Sequence, residues 1–300
     1  MATIRTTMKM RCFLLAVPLS LLLTVPAAAQ DDPYERFTTD WRRNAIWDDG
    51  KAECAVYAAT REIYGQSRQY TARLFTNTEH ASPETFTKSA NGTGRHVFKH
   101  HLREDIPTEK YSYHYSTMAY VGVDDLKSLK LDMGSQEDCG ATFKQYVNHA
   151  GEMRWRQFSY FPNEGHKAGE AQPPANFAFQ DALSLVLRGY PFDAPPEEPI
   201  ELALLADQTS NKWSPTFLFP TRLSYVGRET LELPIGEVAV YHLRVVEPIK
   251  NTTREHDYWF AAEGDHVEDA PGLHIMVRYE GPNGQTYQLR EVRRCAYWQD

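Results

Sequence analysis

The chain has 300 residues, of which 42% are hydrophobic and 12% aromatic, so it is long enough and apolar enough to bury a substantial core. Its formal net charge is −8, with 40 acidic residues against 32 lysines and arginines. This excess of negative charge gives the chain no electrostatic basis for holding nucleic acid or an anionic lipid surface.

The first 29 residues predict export. Basic residues precede an apolar run, residues 12–25, which ends in Pro26 and three alanines. This order is typical of a secretory signal peptide that is cleaved after Ala29. The apolar run is about 14 residues long, whereas a membrane-spanning helix needs roughly 20. We therefore expect a periplasmic or secreted protein with no membrane span after cleavage; the alternative is an N-terminal anchor that is never cleaved.

The rest of the chain divides into four predicted regions. Residues 30–48 predict a short helical segment, because aromatic residues recur there at spacings of three and four. From residue 49 the period changes to two, and residues 49–165 are predicted to form an N-terminal β half. Residues 166–199 combine small, polar and proline-rich stretches with a short helix and predict a linker. Alternation returns in a C-terminal β half, residues 200–300, which is either separate or continuous with the first half.

The fold class follows from the number of alternating segments. Eight or more predicted strands, few helices and many aromatic residues predict a mainly β fold of the β-rich α+β type. A strongly twisted sheet of that size tends to curl or close. We therefore expect a large curled antiparallel sheet or a half-open barrel, with one or two short helices near its concave face.

Three cysteines follow the predicted signal peptide, and an exported protein meets conditions in which disulfides form. Cys54 lies in the first predicted strand and Cys295 in the last, and such strands often meet when a sheet curls. A Cys54–Cys295 disulfide that leaves Cys139 free is therefore the favoured pairing. Three independent buried thiols are the alternative.

His96 and His100 are the main candidates for metal chemistry. On a helix their spacing would place them one turn apart, where they could share a zinc ion. On a strand the same spacing separates them by about 13 Å, because each residue rises ~3.3 Å. The flanking residues favour a strand, so we expect ordinary imidazoles and no cofactor, with a metal site on these two residues as the alternative.

Tyr111, Tyr113 and Tyr115 alternate along a predicted strand and therefore share one of its faces. Such a row can stack against a ligand, although it is more typical of a face that packs in the interior. The chain has no Gly-x-Ser-x-Gly elbow, no His-Glu-x-x-His pair, no phosphate-binding loop and no dinucleotide fingerprint. No catalytic residue can therefore be named from a motif.

Several segments of the chain resemble a family of uncharacterised exported bacterial proteins. They are the strand of residues 49–64, the segments Tyr113–Met118 and Glu137–Gly140, the Leu-Glu-Leu-Pro-Ile-Gly turn at 231–236, Tyr-Trp-Phe at 258–260 and the pair at 297–298. Such proteins are similar to periplasmic folds that curl a β-sheet around an apolar interior, as lipoprotein carriers do. The resemblance implies a β-rich fold and carries no established activity.

Two functions follow as hypotheses. The first is a non-enzymatic envelope protein whose curled sheet binds an apolar or amphipathic ligand, such as a lipid, or an envelope protein. The second is a periplasmic hydrolase that uses histidines with carboxylates, with or without a metal ion. It would require His96, His100 or His114 to converge with an acidic residue at one pocket. We expect the first; a concave face filled by the protein's own side chains would count against the ligand.

Overall fold

The computed structural model describes residues 32–214, 218–249, 252–262 and 272–299. The predicted signal peptide, residues 1–29, lies outside the described residues. Within these ranges, no helix has the length and apolar character needed to cross a membrane.

The described residues are organised around one large β-sheet in which neighbouring strands are antiparallel, except for the parallel pair at one end of the strand order. The strands are β1 (Ala52–Ile63), β2 (Gln66–Ala81), β3 (Arg95–Pro107), β4 (Ser112–Gly122), β5 (Ser128–Glu137), β6 (Gly140–His149), β7 (Glu152–Ser159), β8 (Gly165–Ala171), β9 (Phe177–Phe179), β10 (Ile200–Leu205), β11 (Leu218–Leu233), β12 (Gly236–Ile249), β13 (Thr252–Ala261), β14 (Met276–Glu280) and β15 (Thr286–Cys295).

Helical structure in the described ranges is confined to short pieces. They are α1 (Leu183–Val186) and the 3-10 helices Pro33–Arg36, Trp41–Arg43, Ala45–Asp48, Gln180–Ala182, Leu187–Gly189 and Pro282–Gly284. The prediction of a mainly β fold, with a large sheet that is not closed and with short helices, is confirmed.

The strand order places the two β halves in the same sheet. It runs β8-β7-β6-β5-β4-β3-β2-β1-β15-β14-β13-β12-β11-β10-β9, so that β1 pairs with β2 on one side and with β15 on the other. A disulfide joins Cys54 of β1 to Cys295 of β15, and Cys139 is free and exposed. Most neighbours in the order are also neighbours in sequence, as expected for a sheet built mainly from hairpins.

The sheet curls so that one end of the strand order reaches the inner face of the opposite arm. The backbone N–H of Phe179 in β9 donates a 3.2 Å hydrogen bond to Ser128 Oγ of β5. Beyond β10, Thr209 Oγ1 lies 2.7 Å from Thr117 Oγ1 of β4. Lys144 of β6 donates to the Gln208 carbonyl at 2.9 Å. Because of these contacts, the segment that follows β10 lies across the inner faces of β4 and β6.

Much of the concave face is covered by the chain's own helical segments. Residues 180–199, between β9 and β10, form a helical insert. Its side chains Leu183, Leu185 and Leu187 are fully buried. Near the first residues of β1, Trp41 and Trp47 pack against Phe98 of β3. Their ring centroids lie 5.2 and 5.1 Å, respectively, from that of Phe98. The interior is therefore mostly filled by the protein itself.

Two predicted regions contain structure that differs from the expectation. Residues 30–48, where one amphipathic helix is expected, hold three separate 3-10 helices that bury Tyr34, Trp41 and Trp47. The predicted linker, residues 166–199, contributes the edge strand β8, then β9, then the helical insert. Both faces of β8 are largely exposed, so its sequence has no apolar alternation to reveal a strand.

Candidate functional site

A polar cleft of about 350 Å³ opens near the β1–β2 and β14–β15 turns. An inner cavity of about 70 Å³ lies against it. The cleft is lined mainly by polar and charged residues, among them Arg61, Glu62, Gln180, Asp207, Glu247, Arg254, His256 and Gln285. Apolar and tyrosine side chains make up half of the residues that line the inner cavity, among them Tyr57, Leu74, Leu102, Tyr258, Met276 and Tyr287, and polar residues such as His100, Asp181 and Ser184 make up the rest. Gln180, Asp207 and Gln285 line both spaces, which therefore meet at these three residues.

A buried ion pair stands at the boundary of the two spaces. Glu104 of β3 is 1% exposed and accepts hydrogen bonds from Arg61 Nη1 at 3.0 Å, from the Tyr287 hydroxyl at 2.7 Å and from the Tyr70 hydroxyl. Arg61 Nη2 donates to the Thr209 carbonyl at 2.6 Å. Burial and the Glu104 carboxylate raise the pKa of both tyrosines, so they remain protonated donors. The network therefore fills the hydrogen-bonding capacity of the Glu104 carboxylate and fixes the position of the Arg61 side chain.

Two carboxyl groups, Asp181 and Asp207, lie within hydrogen-bonding reach of each other beside this pair. Asp181 also accepts from the Gln208 backbone N–H at 3.2 Å, and Asp207 accepts from the Thr209 N–H at 2.8 Å. Burial raises the pKa of Asp181 well above its usual range, and the neighbouring Asp207 carboxylate raises it further. Burial also acts to raise the pKa of Asp207, but Arg61 and the bond from Asp181 hold it below its usual range. Opposite directions of this kind are expected where two neighbouring carboxyl groups hold one proton between them.

A third carboxyl group, Glu247 of β12, lies in the cleft without a hydrogen bond from any described residue. Its side chain is 2% exposed, and its Oε1 atom is 3.8 Å from His256 Nε2. His256 Nδ1 lies 2.9 Å from the Tyr279 hydroxyl. Burial lowers the pKa of His256 to about 4, so the ring is neutral at pH 7. Burial raises the pKa of Glu247. Glu247 thus presents an open acceptor to the cleft.

The predicted histidines lie on β3 and are not brought to a common site. His100 is buried, and its ring nitrogens lie 2.8 Å from Thr76 Oγ1 and 2.8 Å from Ser184 Oγ. His96 stacks on His80, with ring centroids 4.9 Å apart. In the part of the chain that the structure describes, no three His, Cys, Asp or Glu residues are grouped as metal ligands.

The contact between Ser184 and His100 lines the inner cavity and has the form of a nucleophile beside a base. Its chemistry is weak, however. The other ring nitrogen of His100 meets the Thr76 hydroxyl instead of a carboxylate. Burial lowers the pKa of His100 to about 3, which makes the ring a poor base. His114 pairs with Asp105 at 2.7 Å, and both side chains are exposed away from the cavity.

Two tyrosines of the predicted row pack in the interior beside the cleft, and the third, Tyr111, is partly exposed. Tyr113 and Tyr115 are each 7% exposed, and their rings stack at 5.8 Å. The Arg61 guanidinium lies 5.4 Å from the Tyr115 ring centroid. The hydroxyl of Tyr111 lies 3.0 Å from that of Tyr64 at the β1–β2 turn. None of the three row tyrosines lines the cleft or the inner cavity.

No motif connects the residues that line the cleft, so the sequence alone does not single them out. They come from β1, the helical insert, the segment after β10, the β12–β13 pair and the β14–β15 turn. The sequence nevertheless contains one signal of a buried polar site. Glu247 follows Leu243 and Val245 on the same face of its strand, and Glu104 lies between Leu102 and Ile106. A charged residue in an inward position of an apolar alternation marks a buried polar site.

Comparisons with known proteins give structural likenesses only. No family model and no curated protein matches the chain. A beta-barrel-like protein of domain of unknown function DUF1849 from Brucella abortus shares 8% identity with a TM-score of 0.48, covering 81% of this chain and 97% of that one. A candidate lipoprotein from Parabacteroides distasonis shares 8% identity with a TM-score of 0.24, covering 81% and 95%. At TM-scores below 0.5, these likenesses carry no argument about function.

Proposed function

We propose that this chain is an exported, non-enzymatic envelope protein that binds an amphipathic ligand in the cleft and the inner cavity. The observation that carries the proposal is the junction, at Gln180, Asp207 and Gln285, of a polar cleft with an inner cavity that is lined more by apolar and tyrosine side chains than the cleft is. A ligand with an apolar tail and a polar head matches this arrangement, because each part meets surroundings of its own polarity.

The size of the inner cavity limits the tail. A volume of about 70 Å³ holds roughly five to seven water-sized groups, comparable to a short alkyl chain or the end of a longer one. Transferring four methylene groups from water into such a cavity contributes roughly 3 kcal/mol. The helical insert and the N-terminal aromatic residues fill the rest of the concave face, which counts against a large apolar ligand.

Export is supported by two independent features. The predicted signal peptide, residues 1–29, has the order of charged, apolar and small residues that secretion requires. The Cys54–Cys295 disulfide belongs to proteins of oxidising compartments such as the periplasm and the cell exterior.

Calorimetric titration of the delipidated protein with 1-octanol tests the binding proposal. Leu102 lines the inner cavity, so Leu102→Phe places a larger side chain in the space that the tail would occupy. Val226→Phe is the control, because Val226 is 51% exposed and lines neither space. We expect binding by the wild type and the control, and at least tenfold weaker binding by Leu102→Phe at an unchanged melting temperature. Absence of binding, or equal affinity in all three proteins, would overturn the proposal.

A second candidate function, hydrolysis, is favoured by the contact between Ser184 and His100 at 2.8 Å. Release of p-nitrophenol from p-nitrophenyl butyrate, measured with the wild type and Ser184→Ala, distinguishes it. Turnover that disappears in Ser184→Ala would favour the hydrolase. Turnover that is absent, or that is the same in both proteins, would count against Ser184 as a nucleophile for esters.

A further inference from the structure

Glu247 is a buried carboxyl group whose hydrogen-bonding capacity the described chain leaves unused. It is 2% exposed, lines the cleft and receives no hydrogen bond from the described residues. Two other described carboxylates that are almost fully buried are paired: Glu53 accepts two bonds from Arg188, and Glu104 accepts three. Since buried polar groups are normally hydrogen-bonded, an open acceptor at a binding cleft indicates a donor supplied from outside.

The charged groups around Glu247 do not supply that donor. Arg61 is already held by Glu104 and by the Thr209 carbonyl. Arg254 lies opposite Glu247 in the β12–β13 register, but its side chain is exposed and makes no ion pair with it in the described chain. His256 is 3.8 Å away, with its Nδ1 atom in contact with Tyr279. The remaining charged groups of the cleft, Glu62 and Asp207, are carboxyl groups themselves.

The cleft therefore favours a ligand head that donates hydrogen bonds and carries positive charge. Asp207 strengthens this preference, because its side chain is 36% exposed and lines the cleft beside the opening of the inner cavity. A bond from an ammonium group to a carboxylate is charge-assisted and stronger than a bond between neutral groups. The exposed Arg254 at the rim remains hydrated and gains less from a ligand than the buried Glu247.

We propose that Glu247 is the head-group site of this cleft and that the ligand class is an amphipathic molecule with a primary ammonium group. The ammonium group donates to Glu247 in the cleft, and the attached alkyl chain enters the inner cavity between Gln180, Asp207 and Gln285. This inference rests on the proposed function, since it assigns the head group of the same ligand.

The test compares three probes with the same eight-carbon chain, namely octylamine, 1-octanol and octanoate, by calorimetric titration at pH 7. The proteins are the wild type, Glu247→Gln and the matched control Glu84→Gln, which changes an exposed carboxylate that lines neither the cleft nor the inner cavity. We expect the wild type and Glu84→Gln to bind octylamine at least tenfold more tightly than the other probes. Glu247→Gln should lose this preference and retain its affinity for 1-octanol. Thermal unfolding confirms that each variant is folded.

The outcomes separate the two proposals. Binding of 1-octanol without a preference for octylamine, or a preference that survives in Glu247→Gln, overturns the ammonium site and leaves the proposed function intact. Failure of the wild type to bind any of the three probes overturns the proposed function, and the ammonium site with it.

Discussion

Glu53 and Arg188 form an ion pair in which both side chains are fully buried. Arg188 Nη2 and Nη1 donate to the two carboxylate oxygens at 2.7 and 2.9 Å, and the guanidinium lies 5.9 Å from the ring centroid of Trp41. The pair connects the start of β1 with the helical insert, so it fixes the insert against the sheet. Removing one partner would leave the other charge buried and uncompensated, which destabilises proteins by roughly 3–5 kcal/mol.

The residue-scale prediction concerns this pair. Glu53→Gln should lower the free energy of unfolding by roughly 3–5 kcal/mol, measured by urea denaturation. The double variant Glu53→Leu/Arg188→Met should recover most of that loss, because no unpaired charge remains. Glu291→Gln breaks an exposed pair with Arg293 and should change the free energy by less than about 0.5 kcal/mol. Equal losses in the two Glu→Gln variants would contradict the argument.

At the scale of elements, the disulfide fixes the junction of the two β halves. Cys54 and Cys295 lie on the adjacent strands β1 and β15, with their Cα atoms 6.0 Å apart and 241 positions apart in sequence. In the chain-entropy model, closing a loop of that length restricts the unfolded chain by on the order of 5 kcal/mol. The bond therefore stabilises the strand pairing that joins the first strand of the chain to the last.

The element-scale prediction is that Cys54→Ala/Cys295→Ala lowers the free energy of unfolding by roughly 2–5 kcal/mol. Urea denaturation under oxidising conditions measures the difference. A reducing agent should destabilise the wild type by a similar amount and leave the double variant unchanged. Cys139→Ala serves as the control, because Cys139 is exposed and free. A double variant as stable as the wild type would show that the β1–β15 pairing does not need the bond.

The elements that could be predicted from sequence are those with one apolar face. In β1 and β2, apolar and polar residues alternate on either side of the turn at Tyr64 and Gly65. The hairpin can therefore be predicted from the residue pattern. β8 was not visible, because an edge strand with both faces exposed has no apolar period. The N-terminal segment has spacings of three and four that predict one helix, but such spacings also occur in successive 3-10 turns.

At the scale of the whole molecule, the strand order could not be predicted from local patterns. The meeting of β1 and β15 is expected only from the general tendency of a curled sheet, and the approach of β9 to β5 connects residues whose contact no local propensity encodes. The cleft depends on these contacts, because they bring Arg61, Asp207 and Glu247 together. The sequence therefore predicts the class of fold and the buried tyrosines, whereas the site emerges only once the sheet has curled.

Buried histidines connect the stability of the whole molecule to pH. Burial lowers the pKa of His100 to about 3 and that of His256 to about 4, whereas both titrate near 6.5 in an unfolded chain. Below pH 6.5 the unfolded state therefore binds protons that the folded state does not. Stability is fully present above pH 6.5 and is lost as the pH falls toward 4. Asp181, whose pKa is raised, partly offsets the loss, because its contribution to stability is present at low pH.

The molecule-scale prediction is that the free energy of unfolding falls between pH 6 and pH 5, and that His100→Gln makes this fall shallower. Each fully buried neutral histidine contributes a slope of about 1.4 kcal/mol per pH unit in this range, so removing His100 should reduce the slope by about that amount. A glutamine can still bond to Thr76 and Ser184, which keeps the site packed. Val226→Ala changes an exposed residue that has no titratable group and should leave the slope as in the wild type. Urea denaturation at pH 7, 6 and 5 measures the three slopes, and equal slopes in all three proteins would show that the His100 ring takes up its proton without unfolding the chain.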